Sequence, residues 1–241
     1  MRFAIFGDIH ANLEAFQVVL TDAQEQGCRG FICLGDIVGY NANPRECLDL
    51  VRQLGCAAVV KGNHDDYVAT STLLTHFNSL AQVAIQWSRE QLTAEAKHWL
   101  WTRPLVAFYD SMTVVHATLD DPSSWGYVLN QLDAAASFTW QKTPICFFGH
   151  THVPRLYVHG ATVAGYPLKE LRIEPNKQYF INVGSVGQPR DGDPRAAYAV
   201  FDHDAGTVQL RRLPYDIERT QAKIIAAGLP LKLAERLSVG K

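Results

Sequence analysis

The sequence predicts an α/β protein in which two facing β-sheets are flanked by helices. Two observations lead to this prediction. The first 60 residues alternate between short apolar runs and amphipathic helical stretches, a pattern typical of a parallel sheet with helical crossovers. From Pro104 onward short apolar runs dominate, which indicates a second, mixed sheet. Because the sequence shows no internal repeat or linker, we expect residues 1–241 to form a single domain.

The first three strands and two helices follow from hydrophobic spacing and end signals. Three short apolar runs predict strands, at 2–6, 30–34 and 57–60. Between the first two, the stretch 12–25 carries apolar residues at helical spacing on one face. The helix predicted at 44–54 begins with Pro44 and is followed by Gly55, residue types that commonly mark a helix start and end.

The rest of the chain contains one long helical stretch and many short strands. Residues 80–101 are predicted to form two helices broken near Thr93. Strands are predicted at 106–109, 113–115, 145–148, 155–158, 179–183, 197–201 and 208–213, with a helix at 129–138. The last segment, about 217–237, is predicted to form two short helices interrupted at 228–230. We expect these C-terminal helices to cover a sheet face; contact with a partner chain is the alternative.

Composition and charge exclude some classes of protein. The net charge is −2 and the sequence pI is about 6.5, so no global basic surface for nucleic acid is indicated. No apolar run approaches the ~20 residues that a membrane-spanning helix needs, and the N-terminus lacks the apolar stretch of a signal peptide. The five cysteines are scattered without a CxxC pair, as expected of reduced thiols. We therefore expect a cytoplasmic protein with no membrane partner.

Side chains that bind metals follow predicted strands at five places in the chain. These are Asp8 with His10, Asp36, Asn63 with His64, His116, and His150 with His152. Asp, Asn and His are ligands suited to a pair of divalent cations. Because parallel strands bring their carboxyl ends to one edge of a sheet, the loops after the first three strands converge. Residues i and i+2 of an extended chain point the same way, so each i, i+2 pair can reach one ion.

Each element taken alone also has a structural explanation. A lone Gly-Asp is usually a turn, and a lone histidine beside a strand is usually structural. Five such elements in order, each after an apolar run, favour a two-metal site. Four further histidines lack this setting, and we expect them to be surface or structural residues: His76, His98, His159 and His203.

The order of these motifs resembles that of the calcineurin-like metallophosphoesterase superfamily, which is DxH, GD, GNH(D/E), H and GHxH. In this sequence the motifs are Asp8-Ile9-His10, Gly35-Asp36, Gly62-Asn63-His64-Asp65, His116 and Gly149-His150-Thr151-His152. The match covers residues 1 to about 200. The segments 8–15 and 182–187 are similar to the small bacterial phosphodiesterase branch of that family. The resemblance implies a four-layer α/β/β/α fold with two mixed sheets.

The resemblance also implies a role for each ligand. One metal would be bound by Asp8, His10 and His152, the other by Asn63, His116 and His150, and both by Asp36. The cofactors implied are two divalent ions, Mn by preference, with Fe, Zn or Ni as alternatives. A hydroxide bridging the two ions would attack phosphorus in line with the leaving oxygen. His64 would hold a phosphate oxygen or protonate the leaving group. Weaker candidates for phosphate contact are Asn12 and the backbone of Gly184 and Ser185.

The sequence departs from the family pattern after Asp36. The protein Ser/Thr phosphatases and the symmetrical diadenosine tetraphosphatases carry GDxxxRG. This chain has Tyr40 at the Arg position, and Gly39 where the protein phosphatases place an Asp. A phenol cannot give the bidentate phosphate recognition of a guanidinium. Arg190 or Arg195 could supply the missing charge; the alternative is that both are solvated loop arginines. Tyr40 could narrow the pocket or stack on a base, or be a surface residue.

These features favour a metal-dependent phosphoesterase that hydrolyses phosphodiester or nucleotide-type phosphate substrates. Two alternatives stay open: a catalytically silent scaffold that binds a protein partner, and a phosphomonoesterase or protein phosphatase. A cysteine-based phosphatase is excluded because the sequence has no Cys-x5-Arg loop. The sequence also has no P-loop lysine motif, so an NTPase that activates phosphate through such a loop is not indicated. The expected partner is a small phosphate-ester or nucleotide substrate; the natural substrate and the oligomeric state do not follow from the sequence.

Overall fold

The computed structural model describes residues 1–75 and 77–241. His76, expected above to be a surface or structural residue, lies outside the described residues. Over the part described, the chain forms two six-stranded mixed sheets flanked by eight α-helices. This arrangement confirms the fold class that the sequence predicts.

The strands and helices of the described residues have the following bounds. The strands are β1 Arg2–Phe6, β2 Gly30–Cys33, β3 Ala58–Val59, β4 Val106–Tyr109, β5 Met112–Val115, β6 Ile145–Phe148, β7 Arg155–His159, β8 Val163–Pro167, β9 Glu170–Arg172, β10 Gln178–Asn182, β11 Ala196–Asp202 and β12 Thr207–Leu213. The helices are α1 Leu13–Glu25, α2 Pro44–Gln53, α3 Asn63–Ala69, α4 Ser79–Gln91, α5 Ala94–Trp101, α6 Gln131–Phe138, α7 Ile217–Ala226 and α8 Leu231–Glu235, with short 3₁₀-helices at Pro122–Ser124 and Arg236–Val239. Each predicted element occurs with its ends within two residues of the prediction.

One α-helix and two strands of the structure were not predicted, nor was the short 3₁₀-helix at Pro122–Ser124. Helix α3 begins at Asn63, inside the GNH motif, where no helix was predicted. Strands β8 and β9 have no fully buried residue, and β8 contains Gly165 and ends at Pro167. Glycine and proline are rare in strand interiors, so the usual strand signal is weak here.

The first sheet has the strand order β3-β2-β1-β11-β12-β9. Strands β1 to β3 are parallel, as predicted from the alternating pattern. Strand β11 runs antiparallel to β1, with Phe3 opposite Phe201. The prediction that the strands at 197–201 and 208–213 belong to the second sheet was therefore wrong. The error has a physical reason: an apolar run identifies a buried strand but not its neighbours.

The second sheet has the strand order β4-β5-β6-β10-β7-β8. Strands β5, β6 and β10 are parallel, and the other pairs are antiparallel. All residues of β5 and β6 are buried. Because these two strands are parallel neighbours, the residues that follow them lie side by side at one edge of the sheet.

Apolar side chains hold the layers together. Along β1, Phe3 and Ile5 point into the layer between the two sheets, while Phe6 points toward α1 and α2. Phe147 of β6 meets this middle layer from the second sheet. Helix α6 covers the outer face of the second sheet through Phe138. The layers are thus α/β/β/α.

The C-terminal helices pack on other helices instead of on a sheet face. Helix α7 contacts α1, where Lys223 pairs with Glu14. Ile224 belongs to an apolar cluster with Tyr40 and residues of α4. The expectation that these helices cover a sheet face was wrong, because α1 and α2 already cover the outer face of the first sheet. None of the helices in residues 1–75 and 77–241 is long and apolar enough to cross a membrane.

Candidate metal centre

The predicted metal ligands meet where strands of both sheets end. Asp8 and His10 follow β1, Asp36 follows β2, Asn63 begins α3, His116 follows β5, and His150 and His152 follow β6. One group of donor atoms lying within 4.8 Å of one another comes from Asp8, His10, Asp36 and His152; a second comes from Asp36, His116 and His150. Asp36 belongs to both groups. All of these side chains are buried, and Asn63 lines the same cavity as Asp36 and His150.

Within the two groups the donor atoms face one another at short range. His152 Nε2 lies 3.3 Å from Asp8 Oδ1. His10 Nε2 lies 3.5 Å from Asp36 Oδ2, and His116 Nε2 lies 3.4 Å from the same oxygen. One oxygen of Asp36 therefore faces a histidine from each group, a position suited to a ligand shared by two ions.

Backbone carbonyls fix the orientation of the four histidines. Each of these rings donates one N–H to a backbone carbonyl: His10 to Val38 at 3.2 Å, His116 to Leu34 at 2.7 Å, His150 to Trp125 at 2.9 Å and His152 to Gln188 at 2.5 Å. His150 donates from Nε2, and the other three donate from Nδ1. In a neutral ring this hydrogen bond leaves the other nitrogen with a lone pair, which is the usual support of a metal-binding histidine.

One contact in the first group indicates a cation. His10 Nε2 and His152 Nε2 face each other at 3.0 Å, although the proton of each neutral ring is on Nδ1. Two lone pairs at this distance repel unless a positive charge lies beside them. Two further buried atoms, Asn63 Oδ1 and His116 Nε2, have no hydrogen-bond partner among the described residues. Imidazole nitrogens with carboxylate and amide oxygens suit divalent metal ions, so the residues present fit a pair of them.

Burial and mutual charge shift the acid–base equilibria of the centre. Burial raises the pKa of Asp8 to about 7, although His116 opposes the shift. Burial lowers the pKa of His116, but the carboxylates of Asp36 and Asp8 outweigh this effect and raise it to about 9. When no cation is bound, protons therefore occupy Asp8 and His116 near neutral pH, and metal ions bind in exchange for protons.

The ligands depend on an uncommon backbone conformation. Five of them have φ between +47° and +69°: Asp8, His10, Asp36, His150 and His152. The two i, i+2 pairs were expected to lie in an extended chain. This expectation was wrong, because each pair lies beyond the end of its strand in a left-handed turn. Such conformations cost about 1–3 kcal/mol each and persist only where the surroundings enforce them. Their clustering at one place indicates a functional constraint.

Backbone hydrogen bonds enforce these turns. His64 N donates to Asp36 Oδ1 at 2.8 Å, and His150 N donates to Asp8 Oδ2 at 3.0 Å. Asp8 N in turn donates to the carbonyl of Gly35, at 2.9 Å, so the turn after β1 is tied to the turn after β2. Each carboxylate is thereby fixed by a neighbouring motif, which couples the position of the ligands across the two sheets.

Three residues that support the centre were not predicted. Asp65 Oδ1 accepts from a backbone N–H of the turn after β2, at 2.9 Å. The loop after the first 3₁₀-helix holds His150 from two sides: the Trp125 carbonyl accepts from its ring, and Tyr127 stacks on it with centroids 4.2 Å apart. The position of Asp65 in the GNH(D/E) motif was a signal that could have been used, whereas Trp125 and Tyr127 carry no such signal in the sequence.

His64 packs among aromatic rings at the wall of the cavity. Its ring centroid lies 4.5 Å from that of Tyr40, 4.8 Å from that of His10 and 5.5 Å from that of Phe77. Nδ1 of His64 lies against Gly39 and is buried without a hydrogen-bond partner in the described part of the chain. Burial lowers the pKa of His64 to about 4, so the ring is neutral at pH 7.

A cavity of about 460 Å³ opens beside the metal ligands. Its aromatic lining consists of Tyr40, Tyr67, Phe77, Trp125 and Tyr127. Arg190 also lines it and brings a positive charge. Arg195 is instead paired with Asp193, and its side chain is 52% exposed. Of the two loop arginines considered in the sequence analysis, the structure therefore brings Arg190 to the centre.

The three weaker candidates for phosphate contact are buried and bonded within the protein. Asn12 accepts from Ala15 N at the start of α1 and donates to the carbonyl of Gly187. Ser185 Oγ donates to the carbonyl of Asp8 at 2.8 Å, and Gly184 N donates to a side-chain oxygen. The Asn12 side chain, the Gly184 N–H and the Ser185 hydroxyl thus have partners within the protein, and phosphate contact at these residues stays a prediction.

Comparison with known proteins places this geometry in a family. The sequence model of the calcineurin-like phosphoesterase superfamily domain matches residues 1–206. The chain belongs to this superfamily. The crystal structure of a metallophosphoesterase from Sphaerobacter thermophilus has 42% sequence identity and a TM-score of 0.88 to this protein. The alignment covers 100% of this chain and 99% of that one. An uncharacterized protein from Methanocaldococcus jannaschii is 36% identical over 99% of this chain and 98% of its own length. A hypothetical protein from Pyrococcus horikoshii, 17% identical, shares the fold with a TM-score of 0.82 and coverage of 100% and 98%.

The resemblance drawn from the motifs is thereby confirmed. Membership in the calcineurin-like phosphoesterase superfamily indicates a hydrolase of phosphoric esters, and the buried Asp and His groups indicate divalent metal ions. The superfamily match ends at residue 206, so β12 and the C-terminal helices lie beyond it. The apolar cluster that joins Tyr40 to these helices therefore combines a residue of the matched domain with residues that follow it.

Proposed function

We propose that this phosphoesterase uses two divalent metal ions to hydrolyse small phosphodiester or nucleotide-type phosphate substrates. The observation that carries the proposal is the pair of buried donor groups that share Asp36 beside one cavity. Two divalent cations held by two carboxylates leave a net positive charge. Such a charge suits a phosphate anion that enters the cavity.

We propose the following ligand sets. One ion is held by Asp8, His10 and His152, the other by Asn63, His116 and His150, and Asp36 binds both. Support comes from the two donor groups, and from Asn63 Oδ1, a buried oxygen without a hydrogen-bond partner in residues 1–75 and 77–241. Bound ions of this kind lower the pKa of a water molecule and polarise the phosphate. We propose manganese, with iron, zinc or nickel as alternatives, because mixed nitrogen and oxygen ligands suit all four.

We propose that His64 contacts the substrate and does not bind a metal. It lines the cavity next to Asn63, and its Nδ1 lies against Gly39, which leaves Nε2 for the substrate. A neutral imidazole offers one N–H to a phosphate oxygen or to the leaving oxygen. The low pKa of His64 favours the hydrogen bond to a phosphate oxygen over full proton transfer at pH 7.

The other functions considered have less support. The described residues do not support a catalytically silent scaffold, because every ligand of the family pattern and His64 are retained. A protein phosphatase is disfavoured because Tyr40 takes the place of the arginine of the GDxxxRG motif. Its ring packs against His10 and His64, with centroids 4.7 and 4.5 Å away.

A direct assay tests the proposed function. Protein stripped of metal is expected to hydrolyse bis-p-nitrophenyl phosphate or p-nitrophenyl phosphate once Mn²⁺ is added, and not before. Hydrolysis of neither ester with Mn²⁺, Ni²⁺, Fe²⁺ or Zn²⁺ would overturn the proposal. If hydrolysis occurs, a panel of cyclic nucleotides, dinucleoside polyphosphates, phosphopeptides and sugar phosphates then identifies the substrate.

A further inference from the structure

Arg190 is fixed to the metal centre through the backbone. Its N–H donates to the carbonyl of His152, at 3.3 Å. The carbonyl of Gln188, two residues earlier, accepts from the ring of His152, at 2.5 Å. The loop that orients a proposed metal ligand therefore also carries Arg190, and the position of the guanidinium is set relative to the centre.

The guanidinium of Arg190 retains N–H donors that no group in the described part of the chain accepts from. Its Nη2 donates to Gln188 Oε1 at 3.0 Å and to Tyr40 Oη at 3.3 Å. Arginine has five N–H donors, and Nε of Arg190 is buried without a partner within residues 1–75 and 77–241. In that same part of the chain no carboxylate lies within 4.0 Å of it, whereas Arg195 and Arg212 pair with aspartates. A guanidinium that lines a cavity and has free N–H donors can bind an anion there through charge-assisted hydrogen bonds.

A second guanidinium, from the C-terminal segment, adds positive charge near Arg190. Arg236, in the last 3₁₀-helix, lies 5.7 Å from the centroid of the Tyr40 ring, and Arg190 lies at the same distance. Burial, and then the charge of Arg190, lower the pKa of Arg236. Both cations are attracted to the ring, while they repel each other. Binding of an anion beside Arg190 relieves this repulsion.

We propose, building on the proposed function, that Arg190 binds a nonbridging oxygen of the substrate phosphate. Of the two substrate classes proposed above, it thereby favours nucleotide-type phosphates, whose terminal monoester group is a dianion, over phosphodiesters, which are monoanions. Tyr40 acts as a positioning residue, because its hydroxyl oxygen accepts from Nη2 of the guanidinium. A unit positive charge attracts a dianion about twice as strongly as a monoanion at the same distance. The guanidinium also matches phosphate geometry, which the Tyr40 phenol at the motif position cannot do. The charge missing after Asp36 is thus supplied by a different loop.

Phosphate binding provides the first test. Inorganic phosphate is titrated calorimetrically into the full-length protein loaded with Mn²⁺. Arg190→Gln is expected to raise the Kd for phosphate about 10- to 100-fold, the range of a hydrogen bond to a charged group, and Arg190→Lys to recover part of the loss. Arg29→Gln, which changes an exposed arginine before β2, serves as the neutral control. A Kd for Arg190→Gln within twofold of the unchanged protein, or a loss confined to Arg195→Gln, would overturn the proposal.

The ratio of two hydrolytic activities provides the second test. Arg190→Gln is expected to reduce kcat/KM for p-nitrophenyl phosphate at least about fivefold more than for bis-p-nitrophenyl phosphate, because the monoester carries the extra charge. Tyr40→Phe should change the ratio in the same direction by a smaller factor. An equal loss on both esters would indicate a structural role and overturn the proposal. If the unchanged protein hydrolyses neither ester but binds phosphate through Arg190, the proposed function fails and the role of Arg190 stands.

Discussion

Gly39 and His64 lie in direct contact, and the glycine has no room for a side chain. A Cβ atom added at Gly39 would clash with His64 Nδ1 and lie 3.1 Å from its Cγ. Gly39 also has φ of +89°, a conformation that other residues rarely adopt. The place where protein phosphatases carry an aspartate is thus occupied by the imidazole itself, and His64 is oriented by packing against Tyr40 and Phe77.

The first prediction follows from this contact. Gly39→Ala is expected to displace the His64 ring and to lower kcat by about tenfold or more, with the metal content unchanged. Steady-state kinetics and metal analysis measure the two effects. Gly27→Ala is the matched control, because Gly27 has φ of +72° but nothing within 4 Å of an added Cβ. Both variants should lose about 1–2 kcal/mol of unfolding free energy through backbone strain. Equal kcat in the two variants would contradict the prediction.

The second prediction separates metal ligands from substrate contacts. Asp36→Asn is expected to reduce the occupancy of both metal ions, because Asp36 Oδ2 faces a histidine from each donor group. His64→Ala should retain both ions and lower kcat, since His64 lines the cavity without belonging to either group. Elemental analysis of the purified variants gives the metal content. Similar metal loss in the two variants would show that His64 is itself a ligand.

The third prediction concerns the pH dependence of metal binding. The pKa of Asp8 is raised to about 7 and that of His116 to about 9, so both groups hold protons below these values. Cations must displace these protons, and the affinity for Mn²⁺ is therefore expected to rise between pH 6 and pH 9, by about tenfold per pH unit for each proton released. Calorimetric titration at pH 6.5, 7.5 and 8.5, in two buffers of different ionisation enthalpy, measures the affinity and the number of protons released. An affinity that stays constant over this range would contradict the prediction.

The fourth prediction concerns stability. The Asp22 carboxylate, 8% exposed, accepts from Tyr198 Oη at 2.5 Å and from Arg211 Nη2 at 2.7 Å. Burial raises the pKa of Asp22, but these two partners outweigh burial and lower it below its usual value. The carboxylate therefore stabilises the fold above about pH 4, and the contribution is lost as the pH falls through the lowered pKa. Asp22→Asn is expected to cost about 1–3 kcal/mol of unfolding free energy at pH 7 and progressively less below pH 4.

Denaturant unfolding at several pH values measures this cost. Glu174→Gln is the matched control, since Glu174 makes an exposed ion pair with Lys177 and should change stability little. A cost for Asp22→Asn that stays the same from pH 7 to pH 2.5 would mean that packing, and not the charge, accounts for it.

The elements of the fold were predictable where sequence signals are local. Pro44, Gly55 and the apolar spacing of α1 mark helix ends and faces, and these features do not depend on distant residues. The pairing of β11 with β1 was not predictable, because Val200 and Phe201 are as apolar as strand residues of either sheet. Which sheet receives such a strand depends on contacts between residues almost 200 positions apart.

The candidate site was predictable in composition but not in geometry. The motifs named the residues that the structure brings together, including Asp36 in both donor groups. The left-handed turns at Asp8 and His150 could not be inferred, since aspartate and histidine by themselves favour other conformations. The hydrogen bond from His150 to the carbonyl of Trp125 could not be predicted from the sequence either, because a residue of any type at position 125 has the same backbone carbonyl.

The central place of β1 in the first sheet also determines when the proposed metal centre can form during synthesis of the chain. Strand β1 lies between β2 and β11, and Asp8 is 142 residues from His150, whose N–H donates to it. On the ribosome the first strand emerges long before β6 or β11 has been synthesised. A nascent chain that ends with β5 carries Asp8 and Asp36 but lacks His116, His150 and His152, and it lacks β11, one of the two strands that flank β1. Neither of the proposed ligand sets is complete in such a chain, so we expect metal ions to bind only late in the synthesis of the protein.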